Sequence, residues 1–157
     1  MPFMNLDAQW IVGFTDGEGC FHIGIATQPE LILGVQVLPE FVVVQHKRDV
    51  QVLHAIKQFF GCGVVRTNHG DRMCYRVRKS EHLIQIIIPF FEKHHLKTRK
   101  QQDFLVFRDV LRLMSQRLHL TPQGLEQIRV LTGRLPEVET GSTDCNPAEV
   151  DPVEDSE

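Results

Sequence analysis

The sequence predicts an α+β domain of order αββαββα, with a four-stranded antiparallel sheet covered by helices on one face. Two observations carry this. Segments with apolar residues at helical spacing alternate with two pairs of short segments in which apolar and polar residues alternate one by one. Within each pair only a turn separates the two segments, which leaves room for antiparallel strands but not for a crossover helix. A repeated αββ unit of this kind gives one sheet with one packed face and one open face.

The elements follow in order. Asn5 or Asp7 can cap a first helix, on which Leu6, Trp10, Gly13 and Phe14 share a face. Gly13 and Gly17 lie four apart, a spacing that lets two helix backbones approach closely, and Gly17 and Gly19 discourage the helix from continuing. From Cys20 to Thr27, Phe21, Ile23 and Ile25 alternate with His22, Gly24 and Ala26. Gln28-Pro29-Glu30 marks a turn, and a second strand runs from Gly34 to Gln45 with Val35, Val37, Phe41 and Val43 inward. Pro39 interrupts that strand and predicts a bulge or bend.

Asp49 is placed to cap a second helix carrying Val52, Leu53, Ile56, Phe59 and Phe60, which Gly61 and Gly63 end. Val64–Thr67 and Arg72–Arg78 form a second hairpin across Asn68-His-Gly-Asp71. A third helix starts near Ser80, with a kink or break expected at Pro89. A fourth covers roughly residues 99–117, and a short fifth begins at Thr121-Pro122.

Composition narrows the function classes. The chain has 157 residues, 42% of them hydrophobic, enough for one domain with a true core. Nothing approaches a membrane-spanning run, and the start lacks a signal-peptide pattern; the expectation is an intracellular protein, cytoplasmic or organellar. Cys20, Cys62, Cys74 and Cys145 form no metal-ligand spacing and read as reduced thiols. The net charge of −3 hides an asymmetry. Residues 137–157 hold eight acidic side chains and no Lys or Arg, and read as a disordered acidic tail. Residues 1–136, the folded domain, keep 17 basic against 12 acidic side chains, a net of +5 that suits a polyanionic partner.

That charge has a place to act. Arg72, Cys74, Arg76 and Arg78 project to the open side of the second hairpin, with Arg66 and Asn68 on the neighbouring strand. Such a face can contact phosphates and read guanines in a major groove, which admits a two-stranded ribbon. His22, Gly24, Ala26, Gln28 and Gln36 are the outward positions of the first hairpin, small or neutral and able to read bases.

The remaining signal is Trp10-Ile-Val-Gly-Phe-Thr-Asp-Gly-Glu-Gly19, a helix that delivers Asp16 and Glu18 at its end. This stretch resembles the motif of the LAGLIDADG homing endonucleases and their maturase relatives. The resemblance extends over about residues 5–135, through Phe41–Gln45, Phe60–Val65, His95–Phe104 and Leu120–Ile128. It implies a sequence-specific double-strand DNA endonuclease that hydrolyses phosphodiesters at a long pseudo-palindromic site. With one motif per chain it implies a homodimer, with Trp10, Gly13 and Phe14 at the contact.

Carried across residue by residue, the resemblance makes Glu18 a metal-binding catalytic carboxylate, with the Gly17 carbonyl beside it, for Mg²⁺ (or Mn²⁺). Gln45 stands where a polar residue positions the water network. Lys97 is the basic residue that faces developing phosphate charge, and Lys100 is an equal candidate by counting back from Phe104. Asp16 orients the turn or caps backbone amides. Where the second helix often carries a further basic residue this chain has Asp49, with Lys47 or Arg48 as substitutes. The same fold also serves non-cleaving maturases, whose partner is intron RNA, and DNA-binding regulators.

Overall fold

The computed structural model describes residues 4–135. The acidic tail and Cys145 lie outside the described residues. Helix α1 (Ala8–Glu18) leads into the hairpin β1 (Gly19–Thr27) and β2 (Val35–His46). A 3-10 turn (Lys47–Asp49) enters α2 (Val50–Phe60), and the hairpin β3 (Val64–His69) and β4 (Arg72–Val77) follows. Residues 80–93 form one helical run, α3, succeeded by α4 (Lys100–Ser115) and α5 (Pro122–Thr132). The strands make one antiparallel sheet of order β1-β2-β4-β3. Among the described residues no helix is long and apolar enough to cross a membrane.

One face of the sheet carries the core. Phe21 sits at its centre, its ring 5.1 Å from Phe41, 5.4 Å from both Phe91 and Phe104, and 5.3 Å from Phe107. Those partners come from β2, α3 and α4, so a single strand residue ties the sheet to two helices. Removing such a ring typically costs about 3–5 kcal/mol. The strand alternation is as the sequence predicts: Phe21, Ile23, Val37, Phe41, Val43, Tyr75 and Val77 all face this core.

Several local expectations change. Pro39 makes no bulge: the β1–β2 register runs unbroken through the pair Ile23↔Pro39. Pairing with β4 begins only at Phe41, so at Pro39 one flank of β2 is uncommitted and a missing N–H is tolerated there. The bulge lies in β3 instead. Thr67 pairs with Met73 but His69 with Arg72, which leaves Asn68 as the extra residue and puts His69 opposite Arg72.

At the helix ends, Asp7 is the α1 cap, accepting from the Trp10 N–H at 2.8 Å. Gly17 lies within α1 and does not end it. Asp49 makes no side-chain cap; the His46 ring nitrogen accepts the Arg48 N–H at 3.1 Å one turn earlier, because the chain enters α2 through the 3-10 turn. Gly61 closes α2 in the left-handed conformation, φ +71°, as a helix-ending glycine should.

Pro89 does not end the helical run of α3, but the run is irregular just before it. Leu83–Ile87 form a π-turn between the α-helical pieces Ser80–His82 and Ile88–Lys93. The widened turn gives the proline ring space that a regular α-turn would deny it, and the run continues. Ile87 and Phe91 remain fully buried on either side.

Candidate active site and nucleic-acid interface

Helix α1 has two faces with different fates. Ile11, Val12 and Thr15 bury against the sheet. The opposite side, with Trp10, Gly13 and Gly17, stays open: Trp10 is 37% exposed and stacks on Phe14 at 4.6 Å. A Cβ added at Gly13 or Gly17 would meet nothing within 4 Å. The shared face of Leu6, Trp10, Gly13 and Phe14 is therefore not the main core face, although Leu6 and Phe14 touch the core at its edge.

The helix ends where the sheet begins. Gly19 pairs with Val43, so Gln45, two residues further along β2, lies past the start of β1 on the side where α1 terminates. Gly19 is buried, and a Cβ there would stand 2.6 Å from Thr15 Cγ2; only glycine lets the strand leave the helix this closely. Glu18, one residue before, is exposed at this junction, and so is Gly17.

A distant segment is clamped to the same junction. Asp16 Oδ2 accepts the Lys97 N–H at 2.9 Å, while Oδ1 accepts the Thr98 N–H at 3.0 Å and the Thr98 hydroxyl at 2.7 Å. Burial raises the Asp16 carboxyl, but these bonds outweigh it and hold the group below the ordinary aspartate range. Asp16 thus caps backbone amides, as expected. Thr98, which the sequence reading did not single out, is half of that clamp.

The two candidate lysines now separate. Lys97 Nζ turns back onto the His95 carbonyl at 2.8 Å. Lys100, in the first turn of α4, reaches across to donate to the Gly19 carbonyl, next to Glu18. Glu18, Gly17, Gln45 and the Lys100 ammonium therefore gather at one end of the sheet. Among the described residues no group of three His, Cys, Asp or Glu side chains stands ready to hold a metal. One carboxylate and one carbonyl are hard oxygen donors of the kind that Mg²⁺ accepts while keeping waters, but they fill only part of a coordination shell.

The open face of the sheet carries the predicted outward residues. Successive rows across the strands read Ala26–Gln36, Gly24–Leu38, His22–Glu40, Cys20–Val42–Arg76–Val64 and Val44–Cys74–Arg66. Gln28 lies just past β1, where its N–H donates to the Gly34 carbonyl, and Arg78 just past β4. Cys74 faces this side but is only 2% exposed, in a small apolar patch with Val42 and Val44; it packs the face and does not present its thiol to a ligand. Asn68 sits in the bulge, so the outward rhythm of β3 passes to His69.

Glu40 was not foreseen on this face. It is 6% exposed, with Oε2 accepting from Arg78 Nε at 2.7 Å and Oε1 3.5 Å from His22 Nδ1. Burial pushes its carboxyl up, yet His22 and Arg78 more than compensate and hold it low; the same contact with Glu40 raises His22 against its burial.

Comparison with known proteins gives this geometry a family. The family model described as "LAGLIDADG endonuclease" matches residues 11–111, from α1 to the end of the buried part of α4. The chain belongs to the LAGLIDADG endonuclease family. Its sequence is 30% identical over 137 residues to the probable intron-encoded endonuclease 2 of Neurospora crassa, covering 87% of this chain and 29% of that protein. The chain thus spans less than a third of that relative.

Solved LAGLIDADG structures share the fold. The homing endonuclease I-TnaI superposes with a TM-score of 0.82 at 49% identity, covering 90% of this chain and 93% of its own. A double mutant of I-SmaMI superposes at 0.84 with 36% identity, covering 85% of this chain but 46% of that one. Other I-SmaMI structures hold cleaved DNA, or uncleaved DNA with calcium ions.

Proposed function

We propose that this LAGLIDADG protein is a sequence-specific double-strand DNA endonuclease acting as a homodimer, with Mg²⁺ (or Mn²⁺) as cofactor. The observation that carries the reading is the convergence of Glu18, Gly17, Gln45 and Lys100 at one sheet end, beside an open helix face and below a basic sheet face. Structural hydrolysis centres need oxygen donors, a water-positioning group and a cation near the scissile phosphate, and this junction offers each.

Glu18 and the Gly17 carbonyl would hold the ion, with phosphate oxygens and the second subunit's matching pair supplying further donors. When bound, such an ion lowers the pKa of a water and stabilises the leaving oxygen. Gln45 orients the attacking water through its amide. The Lys100 ammonium offsets charge that builds on the phosphoryl oxygens, and it does so from a fixed place because Asp16 anchors the segment that leads into α4. The geometry favours Lys100 over Lys97 for this role.

Pairing follows from the open face of α1. Gly13 and Gly17 allow a second copy of the helix to approach closely, with Trp10 and Phe14 flanking the contact. Two copies would then bring two Glu18 carboxylates together across a two-fold axis. Each sheet would read one half-site through His22, Gly24, Ala26, Gln28, Gln36, Arg66, Arg72, Arg76 and Arg78, with His69 taking the outward place expected of Asn68, and with DNA preferred over RNA because the sheet suits a major groove that A-form RNA keeps too narrow.

The test is cleavage selection. The full chain and its Glu18→Gln variant receive a randomised duplex pool with Mg²⁺, and cut ends are sequenced. Ends that converge on one long pseudo-palindrome, present only with Glu18, are the expected result. A folded dimer that selects duplexes without cutting them would instead make it a DNA-binding regulator, and selection of intron RNA alone would make it a maturase.

A further inference from the structure

We infer that Glu40 is a positioning residue for base recognition: it fixes the Arg78 guanidinium on the open sheet face so that its terminal amino groups read one guanine in each half-site. This rests on the reading of that face as the DNA-contacting surface.

The geometry makes the case. His22 pairs with Glu40 across β1 and β2, and Arg78, one residue past the end of β4, meets Glu40 through its side chain. The Glu40 carboxylate is divided between them, one oxygen to Arg78 Nε at 2.7 Å and the other 3.5 Å from His22 Nδ1. Arginine has five N–H donors in a rigid planar fork, so a bond through Nε sets the plane and direction of the two terminal nitrogens. Those are the groups that pair with guanine O6 and N7. Glu40 is buried, whereas the Arg78 side chain is 37% exposed, so the anchor is sheltered while the arginine it holds still reaches solvent.

The carboxylate also chooses the ligand. An arginine on an open basic face would settle on the nearest phosphate, which carries no sequence information. A carboxylate at hydrogen-bonding distance repels phosphate but not the neutral edge of a base. Glu40 thereby assigns Arg78 to base reading and leaves phosphate contact to the other arginines of the face. His22 serves the second oxygen, which keeps Glu40 from rotating toward the base itself, where it would accept from cytosine.

The experiment profiles base preference at every position of the selected site for the full chain, for Arg78→Ala, for Glu40→Ala and for the double variant, with thermal melts to establish folding. The expected result is one guanine position per half-site whose discrimination falls about ten- to a hundredfold in Arg78→Ala. Glu40→Ala should flatten that same position and no other, and the double variant should lose no more there than Arg78→Ala alone. Should Glu40→Ala fail to fold, Glu40→Gln takes its place, with the narrower expectation that added salt weakens its binding more steeply as Arg78 shifts to phosphate. A Glu40 profile identical to wild type, or flattened evenly across the site, overturns the inference. If the unaltered chain selects no DNA at all, the parent reading fails, and that outcome is recognised before any variant is compared.

Discussion

Replacing Asp16 with Asn tests how the two distant halves of the site are joined. The carboxylate receives three hydrogen bonds, from the Lys97 N–H, the Thr98 N–H and the Thr98 hydroxyl. An asparagine keeps one acceptor oxygen and turns an NH₂ toward donors, so one side of the clamp becomes donor against donor. Hydrogen bonds to a charged group contribute about 1.5–3 kcal/mol when sheltered. This one is largely open to solvent, so about 1–2 kcal/mol is the appropriate discount. For a domain of this size that lowers the melting temperature by roughly 4–8 °C.

The difference should depend on pH with a defined sign. Asp16 is held below its unfolded value, so its stabilisation is fully present above the unfolded pKa and is lost as pH falls through the folded one. Melts of the two proteins should therefore differ at neutral pH and converge in acid, where protonated aspartate and asparagine are nearly alike. Cleavage should slow more in kcat than in KM, because the clamp positions Lys100 and does not itself bind DNA. Equal melting temperatures at neutral pH, or a gap that does not narrow as the solution is acidified through the range where Asp16 titrates, would refute the account.

Three further outcomes follow. Lys100→Met should reduce single-turnover cleavage by about a hundredfold or more while Lys97→Met costs less than tenfold; the reverse order would return the role to Lys97. Gly13→Leu should convert a dimer to a folded monomer in sedimentation, since it alters only a face that nothing covers within the chain. Gly124→Ala should destabilise by about 1–3 kcal/mol in denaturant titration, because a Cβ there would lie 1.8 Å from the Leu118 carbonyl oxygen and would strain the cap that Thr121 gives the Gly124 N–H.

Much of this molecule was legible in the sequence because two periodicities do not overlap. Alternation assigned Phe21, Phe41 and Tyr75 to the core face and Arg72 and Arg76 to the other, and the motif placed Glu18 at a helix end. What escaped was information that resides between strands. Glu40 reads as one more polar residue beside Pro39 until the register sets it between His22 and Arg78. Cys74 reads as outward, and is, but Val42 and Val44 reach the same face from the neighbouring strand and bury it. Pro39 makes no bulge because one strand flank is uncommitted, and at Pro89 the irregularity takes the form of a π-turn that accommodates the ring without ending the helical run. Counting residues could not choose between Lys97 and Lys100, because what separates them is that the Lys97 ammonium turns back onto its own segment at His95 while that of Lys100 reaches the distant Gly19 carbonyl.

The link between Asp16 and Thr98 joins residues 82 apart in the chain, and the bond from Lys100 to Gly19 spans 81. Closing a loop of that length costs roughly 4 kcal/mol of chain entropy before any contact rewards it, so these contacts belong to a late step of folding. A nascent or misfolded chain can display the first helix and its carboxylates, yet its cation sits elsewhere. If Glu18 and Lys100 act together as proposed, the protein gains its full set of reacting groups only when most of its domain is already in place.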